Sequence, residues 1–156
     1  AGGDYIVRIT GDNPFTDEEY GSMAIEIATQ NGSDLTSITG LPQDAGVEVI
    51  KFSALETAWK EGSTAYHFEH VTPYIKEHSE LFLIERHPVQ LRRCAKDLRL
   101  TVDTPEDYDL ACRIYDALYK GSPFSIRDVI TFMEEHPELA ALNKDIEQRP
   151  MTHSES

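Results

Sequence analysis

An α/β fold is what this sequence predicts, on three observations. Runs rich in β-branched and aromatic residues, bounded by turn formers, recur at residues 5–10, 35–39, 47–52, 81–85 and 98–102. Between and after them lie apolar stripes at helical spacing. The passage Arg8-Ile9-Thr10-Gly11-Asp12-Asn13-Pro14 is echoed later by Arg99-Leu100-Thr101-Val102-Asp103-Thr104-Pro105, in each case a strand, then an aspartate, then a proline opening the next element. With 156 residues, one domain and a real core are within reach.

Taken in order, the first strand ends in the Asn13-Pro14 turn. Thr16 with Glu19 then reads as a capping box for a helix whose core stripe is Tyr20, Met23, Ala24, Ile27 and Ala28, stopped at Asn31-Gly32. A short strand at 35–39 runs into a loop through Gly40, Pro42 and Gly46. The strand at 47–52 carries one early acid, Glu48, which could simply face solvent. Ser53 and Glu56 suggest a second capping box, for a helix bearing Leu55, Ala58 and Trp59 and closed by Gly62.

Residues 66–75 pack aromatics, His67, His70 and Glu69 closely together. The i, i+3 histidines could share a helix face as zinc ligands, but no third ligand stands at a recognisable spacing, so surface or substrate-facing histidines are expected. After the strand at 81–85, a loop from 86 to 97 holds the basic cluster Arg92, Arg93 and Lys96, either a solvated loop balancing nearby acids or an anion site. Beyond Asp103, Thr104 caps, Pro105 takes the first helical position and Asp107 completes a capping box. Leu110, Ala111, Ile114, Tyr115 and Leu118 form that helix's stripe. A last helix opens at Phe124-Ser125, turns Ile126, Val129, Ile130 and Met133 inward, and ends at His136-Pro137. The main body is taken as 1–142, with 143–156 a polar, loose tail.

Composition narrows the function. A net charge of −14 argues against nucleic acid as a partner, because such affinity is built on lysine and arginine. No run is long and apolar enough for a membrane span, and no basic-then-apolar leader opens the sequence, so a cytoplasmic protein without membrane attachment is expected. Cys94 and Cys112 have neither metal nor redox spacing. Asp12 and Asp103 are the candidate site. In open α/β sheets ligands sit beyond the carboxyl ends of strands, where two aspartates distant in sequence can converge. Mg2+ takes oxygen ligands, commonly one or two carboxylates completed by substrate phosphates. An aspartate that only closes a strand or caps a turn needs no ligand at all; both readings stand, and the repetition brings the metal-holding one forward.

The ordered set Ile6-Val7-Arg8-Ile9-Thr10-Gly11-Asp12-Asn13-Pro14, Val47-Glu48-Val49 with Ala54-Leu55-Glu56, Glu69-His70-Val71-Thr72-Pro73-Tyr74-Ile75, and Leu98 through Asp107 resembles the cytidylyltransferases of the spore-coat polysaccharide biosynthesis type. More distantly it is similar to the acylneuraminate and 3-deoxy-manno-octulosonate cytidylyltransferases. The resemblance covers nearly the whole chain. It implies a mixed sheet between helices, the nucleotide-diphospho-sugar transferase (GT-A-like) fold, and transfer of CMP from CTP to a sugar or sugar acid with release of pyrophosphate. It further implies Mg2+ (or Mn2+) on Asp12 and Asp103, a substrate pocket involving Arg8, Glu48, Glu69 and His70, and, by analogy, a homodimer. The family's nucleotide-binding half, a first strand and a loop bearing Arg, Ser, Arg and Lys, has no counterpart here. The chain therefore reads as the C-terminal portion of a longer domain truncated at its N-terminus, with the opening Ala1-Gly2-Gly3 like a cut. Alternative expectations are a glycosyltransferase of the same fold and a non-catalytic module that binds a sugar or a partner.

Overall fold

The computed structural model describes residues 4–42, 45–91, 98–144 and 146. Four strands, β1 (Tyr5–Arg8), β2 (Leu35–Thr39), β3 (Glu48–Lys51) and β4 (Ile84–Pro88), form a sheet in the order β1-β3-β2-β4. β3 runs antiparallel to both β1 and β2, whereas β2 and β4 are parallel. The mixed sheet is the expected one. The helices are α1 (Glu18–Asn31), α2 (Phe52–Glu61), α3 (Ala65–His70), α4 (Pro73–Glu77), α5 (Pro105–Leu118), α6 (Ile126–Glu135) and α7 (Pro137–Ala140).

Alternation along the strands sends side chains to two cores. Ile38 and Val49 join Tyr20, Ala24 and Ala28 of α1, Leu110 and Ile114 of α5, and Val129 and Ile130 of α6. Leu35 and Ile50 point the other way, into Ala54 and Ala58 of α2, Tyr74 and Ile75 of α4, and Phe82. Because both faces are covered, β2 is buried at Leu35, Thr36 and Ile38 alike and shows no simple two-residue alternation. The inward stripe predicted for α6 is buried at all four positions.

Local chemistry shifts several predicted boundaries. The Thr16 and Glu19 capping box does not form. Asp17 is the N-cap of α1, accepting from the Glu19 amide at 2.8 Å, and its other oxygen accepts from the Ile126 amide at 2.7 Å. One buried carboxylate thus ties the starts of α1 and α6 together. Nor does the Ser53 and Glu56 box form: α2 leaves β3 directly at Phe52, whose amide donates to the Asp4 carbonyl at 2.8 Å. The expected boxes of Thr104 with Asp107 and of α5 as a whole are present, as is one joining Ser125 and Asp128.

β4 starts three residues later than predicted from residues 81–85. The Leu83 amide is held by the Asp34 carboxylate at 2.9 Å, and its carbonyl by the Asp34 amide at 2.8 Å, which turns Leu81 and Leu83 out to solvent. Residues 98–102, predicted as a strand, add no strand to the sheet; Arg99 makes a single isolated bridge. Their alternation reflects burial of Leu98 and Leu100 against the helical core, a signal that periodicity alone assigns to a strand. Asn143, expected in the polar tail, is buried. Arg92, Arg93, Lys96 and Cys94 lie outside the described residues, as do Ala1-Gly2-Gly3 and residues 147–156.

The turn after β2 depends on glycine. Gly40 has φ +85°, and a Cβ there would stand 2.5 Å from the Val89 carbonyl oxygen, beside the 2.8 Å bond from the Val89 amide to the Thr39 carbonyl. Gly40→Ala combines a left-handed backbone with a backbone clash, so a loss of about 2 kcal/mol or more is expected in urea unfolding. The same substitution at Gly11, where the added carbon meets nothing within 4 Å, serves as the mild control.

Candidate functional site

Register builds the first half of the site. Arg8 pairs with Glu48, Glu48 with Ser37, and Ser37 with Arg86, giving one row across all four strands. Cross-strand partners share a face, so the row crosses the sheet at the end of β1, the start of β3 and the midpoints of β2 and β4. Toward the start of β2 and β4, this face carries Leu35, Ile50 and Ile84 over the α2 and α4 core, and it turns polar at the Ser37 and Arg86 row.

Glu48 is the hub of the row. Its side chain is 14% exposed, and it takes Arg8 Nη1 at 3.0 Å, Lys76 Nζ at 2.6 Å and the Thr72 hydroxyl at 3.2 Å. The possibility that it merely faces solvent is therefore corrected. Thr72 is fully buried and is delivered by a three-residue turn, in which its amide donates to the His70 carbonyl at 2.8 Å around Val71 at φ 70°, ψ −49°. That is the strained γ-turn geometry, unusual for a β-branched residue. Such strain costs roughly 1–3 kcal/mol and persists where the surroundings enforce it. Beside the hub opens a cleft of about 460 Å³ lined by Ser37, Thr39, Gly40, Glu48, Lys76 and Arg86.

The second half joins the two repeated segments. The Val102 amide donates to the Asp12 carbonyl at 2.8 Å, and the Thr101 hydroxyl approaches the same oxygen at 3.5 Å. Asp12 is exposed, and its carboxylate takes no hydrogen bond or ion pair among the described residues. Asp103 is engaged by Arg99 Nη2 at 2.6 Å.

Arg99 is itself held by the buried Asp107, Nε to Oδ1 at 3.0 Å and Nη2 to Oδ2 at 3.1 Å. Asp107 also accepts from Asn143 Nδ2 at 2.8 Å and from the Asp103 and Thr104 amides, both at 3.1 Å. Burial alone would push the Asp107 carboxyl up, but these hydrogen bonds, led by that from Arg99, outweigh it and hold the group well below the usual carboxylate range. The loop bearing Asp103 is thereby fixed from beneath.

Asp12 and Asp103 are thus on touching segments, and Arg8 and Glu48 are in direct contact. Glu69 is exposed on α3, and His70 packs edge-on against Tyr66 at 4.9 Å; neither bonds to the Glu48 or aspartate groups among the described residues. His67 is not placed to share a metal with His70. Its Nδ1 accepts from the Ser63 amide at 3.2 Å and its Nε2 meets Glu77 at 2.9 Å, so both ring nitrogens are occupied. Sequence reasoning missed Thr72 and Lys76, four apart across the start of α4, and the role of Asn143. The Arg99 to Asp103 to Asp107 spacing was a usable signal, read only as strand, metal ligand and cap, not as an ion-paired network.

Among the described residues no group of three or more His, Cys, Asp or Glu converges as a self-sufficient metal site. Two aspartates on adjoining segments suit a hard divalent cation whose remaining positions go to water and phosphate oxygens, and the free Asp12 carboxylate is a ready donor.

The chain is similar over 94% of its length to an uncharacterized protein of Methanocaldococcus jannaschii, at 37% identity and covering 60% of that protein. It is 32% identical to the spore coat polysaccharide biosynthesis protein SpsF of Bacillus subtilis over 86% of this chain and 57% of the relative. A solved cytidylyltransferase from Leptospira borgpetersenii superposes with a TM-score of 0.81 at 25% identity, covering 93% of this chain and 61% of that one. The chain therefore spans about three-fifths of the length of these relatives. The cytidylyltransferase family model matches residues 2–139, and on that match the chain belongs to the cytidylyltransferase family.

Proposed function

We propose that this chain supplies the metal-holding and sugar-facing part of an enzyme that transfers CMP from CTP to a sugar or sugar acid, in surface polysaccharide or glycan biosynthesis. The observation that carries the reading is the hydrogen bond from the Val102 amide to the Asp12 carbonyl, which sets the two Arg-x-Thr-x-Asp segments side by side. In the reaction a sugar hydroxyl oxygen bonds to the α-phosphorus, the bond to the bridging oxygen breaks, pyrophosphate departs and the hydroxyl proton passes to solvent. Mg2+ (or Mn2+) held by Asp12 and Asp103 would neutralise charge developing on the phosphates.

The protein's own groups orient the partners. Arg99 and Asp107 fix the Asp103 loop. Glu48, pinned by Arg8, Lys76 and Thr72, keeps lone-pair capacity for a sugar hydroxyl at the mouth of the cleft. Glu69 and His70, immediately before the strained Val71, would border the sugar rather than the phosphates. The reading is supported by family membership and by the contact between the Asp12 and Asp103 segments.

The test is an assay of protein carrying this sequence with Mg2+, α-labelled CTP and N-acetylneuraminate or 3-deoxy-manno-octulosonate. One pyrophosphate released per labelled CMP-sugar is expected. Sugar transfer from an already activated CMP-sugar, with no pyrophosphate from CTP, would instead establish a glycosyltransferase.

A further inference from the structure

Charge is distributed unevenly in this protein. Against a net charge of −14, the polar row across the sheet, with Lys76 of α4 beside it, carries an excess of cations. Arg8 and Lys76 share the single carboxylate of Glu48, and Arg86 adds a third positive group with no hydrogen bond or ion pair among the described residues. A solvated arginine on a convex surface needs no partner. Arg86 is differently placed: it lines the cleft of about 460 Å³, directly across from Ser37 on the parallel β2 strand.

Ser37 and Thr39 line the same cleft, and among the described residues neither hydroxyl makes a hydrogen bond. Two residues apart on one strand, they stand on one face, the face of Arg86. The close approach of Val89 to Gly40, bonded through the Thr39 carbonyl at 2.8 Å, fastens the end of β2 to that of β4. A guanidinium fork beside two free hydroxyls, in a cleft of net positive charge, is built for an oxyanion.

Resting on the transfer reading and deepening it, we propose that Arg86, with Ser37 and Thr39, binds an oxyanion of the substrate and is a specificity-determining residue. The oxyanion is the carboxylate of a sugar acid or a phosphate of the nucleotide, and the two sources are separable. Glu48, beside this anion subsite, is left to meet uncharged hydroxyls of the same ligand.

The experiment measures affinities by titration calorimetry without metal, for N-acetylneuraminate, neutral N-acetylmannosamine and CTP, on the wild-type chain, Arg86→Gln and Arg86→Lys. Arg86 is exposed, so the variants should fold, and thermal melting checks that they do. At least a tenfold weakening of N-acetylneuraminate in Arg86→Gln, partly restored in Arg86→Lys and absent for N-acetylmannosamine, establishes a carboxylate subsite. Weakening of CTP alone assigns the subsite to phosphate. Equal affinity of wild type and Arg86→Gln for both anions, equal loss for acid and neutral sugar, or no saturable binding of either anion overturns it. Arg86-dependent binding without pyrophosphate release from CTP would defeat the transfer reading alone. Normal pyrophosphate release with unchanged KM for both substrates in Arg86→Gln would defeat the anion subsite alone.

Discussion

Asp107→Ala is expected to lower the unfolding free energy by about 3–5 kcal/mol, the loss typical when one partner of a buried ion pair is removed and the other left unmatched. The size follows from what the carboxylate holds. Its side chain is fully enclosed, and it takes two bonds from Arg99, one from Asn143 and two from main-chain amides. Removing it strands the Arg99 guanidinium, whose side chain is only 10% exposed, and frees the loop carrying Asp103. Asp107→Asn keeps the shape but deletes the charge, so a smaller loss is expected.

The pH dependence has a definite sign. Asp107 titrates lower in the folded protein than in the unfolded chain, so its stabilisation is complete above the ordinary aspartate pKa of about 4 and drains away as the pH falls below it. In urea titrations at a series of pH values, the wild type should lose stability on acidification more steeply than Asp107→Asn. Parallel slopes would show that the network contributes nothing through charge.

Asp12→Asn should reduce CMP transfer by about a hundredfold or more, because metal stabilisation of developing phosphate charge is worth several kcal/mol, while unfolding stability stays within about 0.5 kcal/mol of wild type. The second expectation rests on Asp12 being exposed, with no polar partner for its carboxylate among the described residues. Asp103→Asn should match that loss of activity but also lower stability by about 1 kcal/mol. It gives up the 2.6 Å contact with Arg99, and the smaller figure allows for solvent screening of a side chain that is 34% exposed. Equal transfer rates in wild type and Asp12→Asn would remove the metal from the account. Identical stability of the two variants would show that the Arg99 contact is idle.

How much of this was legible in the sequence depends on whether a signal was local. The stop at Gly32, the Thr104 box and the buried stripe of α6 were readable, because each is written within a few residues of itself, whereas the mixed sheet between helices came from the family resemblance. The strand expected at 98–102 failed for the opposite reason. Leu98 and Leu100 are buried by distant helices, and alternation cannot tell a ladder partner from a helical one. Thr16 lost its capping role because Asp17, one residue on, also reaches the start of α6, more than a hundred residues away, a gain no local pattern records.

In the candidate site, the repeated motif put Asp12 and Asp103 forward as metal ligands, and the resemblance put Glu48 and Arg8 forward on the substrate side. Lys76, Thr72, Arg86 and Asn143 became visible only through register and turn geometry. Ser37 meets Arg86 because β2 and β4 are parallel neighbours, and Thr72 meets Glu48 because Val71 takes a backbone conformation that its residue type disfavours. Where local preference is overruled in this way, the sequence is silent until the fold is known.

The most direct test of the account is Mn2+ titration of the chain followed by paramagnetic broadening of amide NMR signals, which needs no substrate and no turnover. Saturable broadening centred on the amides of residues 11–13 and 102–104, abolished in Asp12→Asn, is the predicted result. Broadening scattered over the acidic surface, or a pattern unchanged by Asp12→Asn, would contradict the assignment of these two aspartates as one metal site.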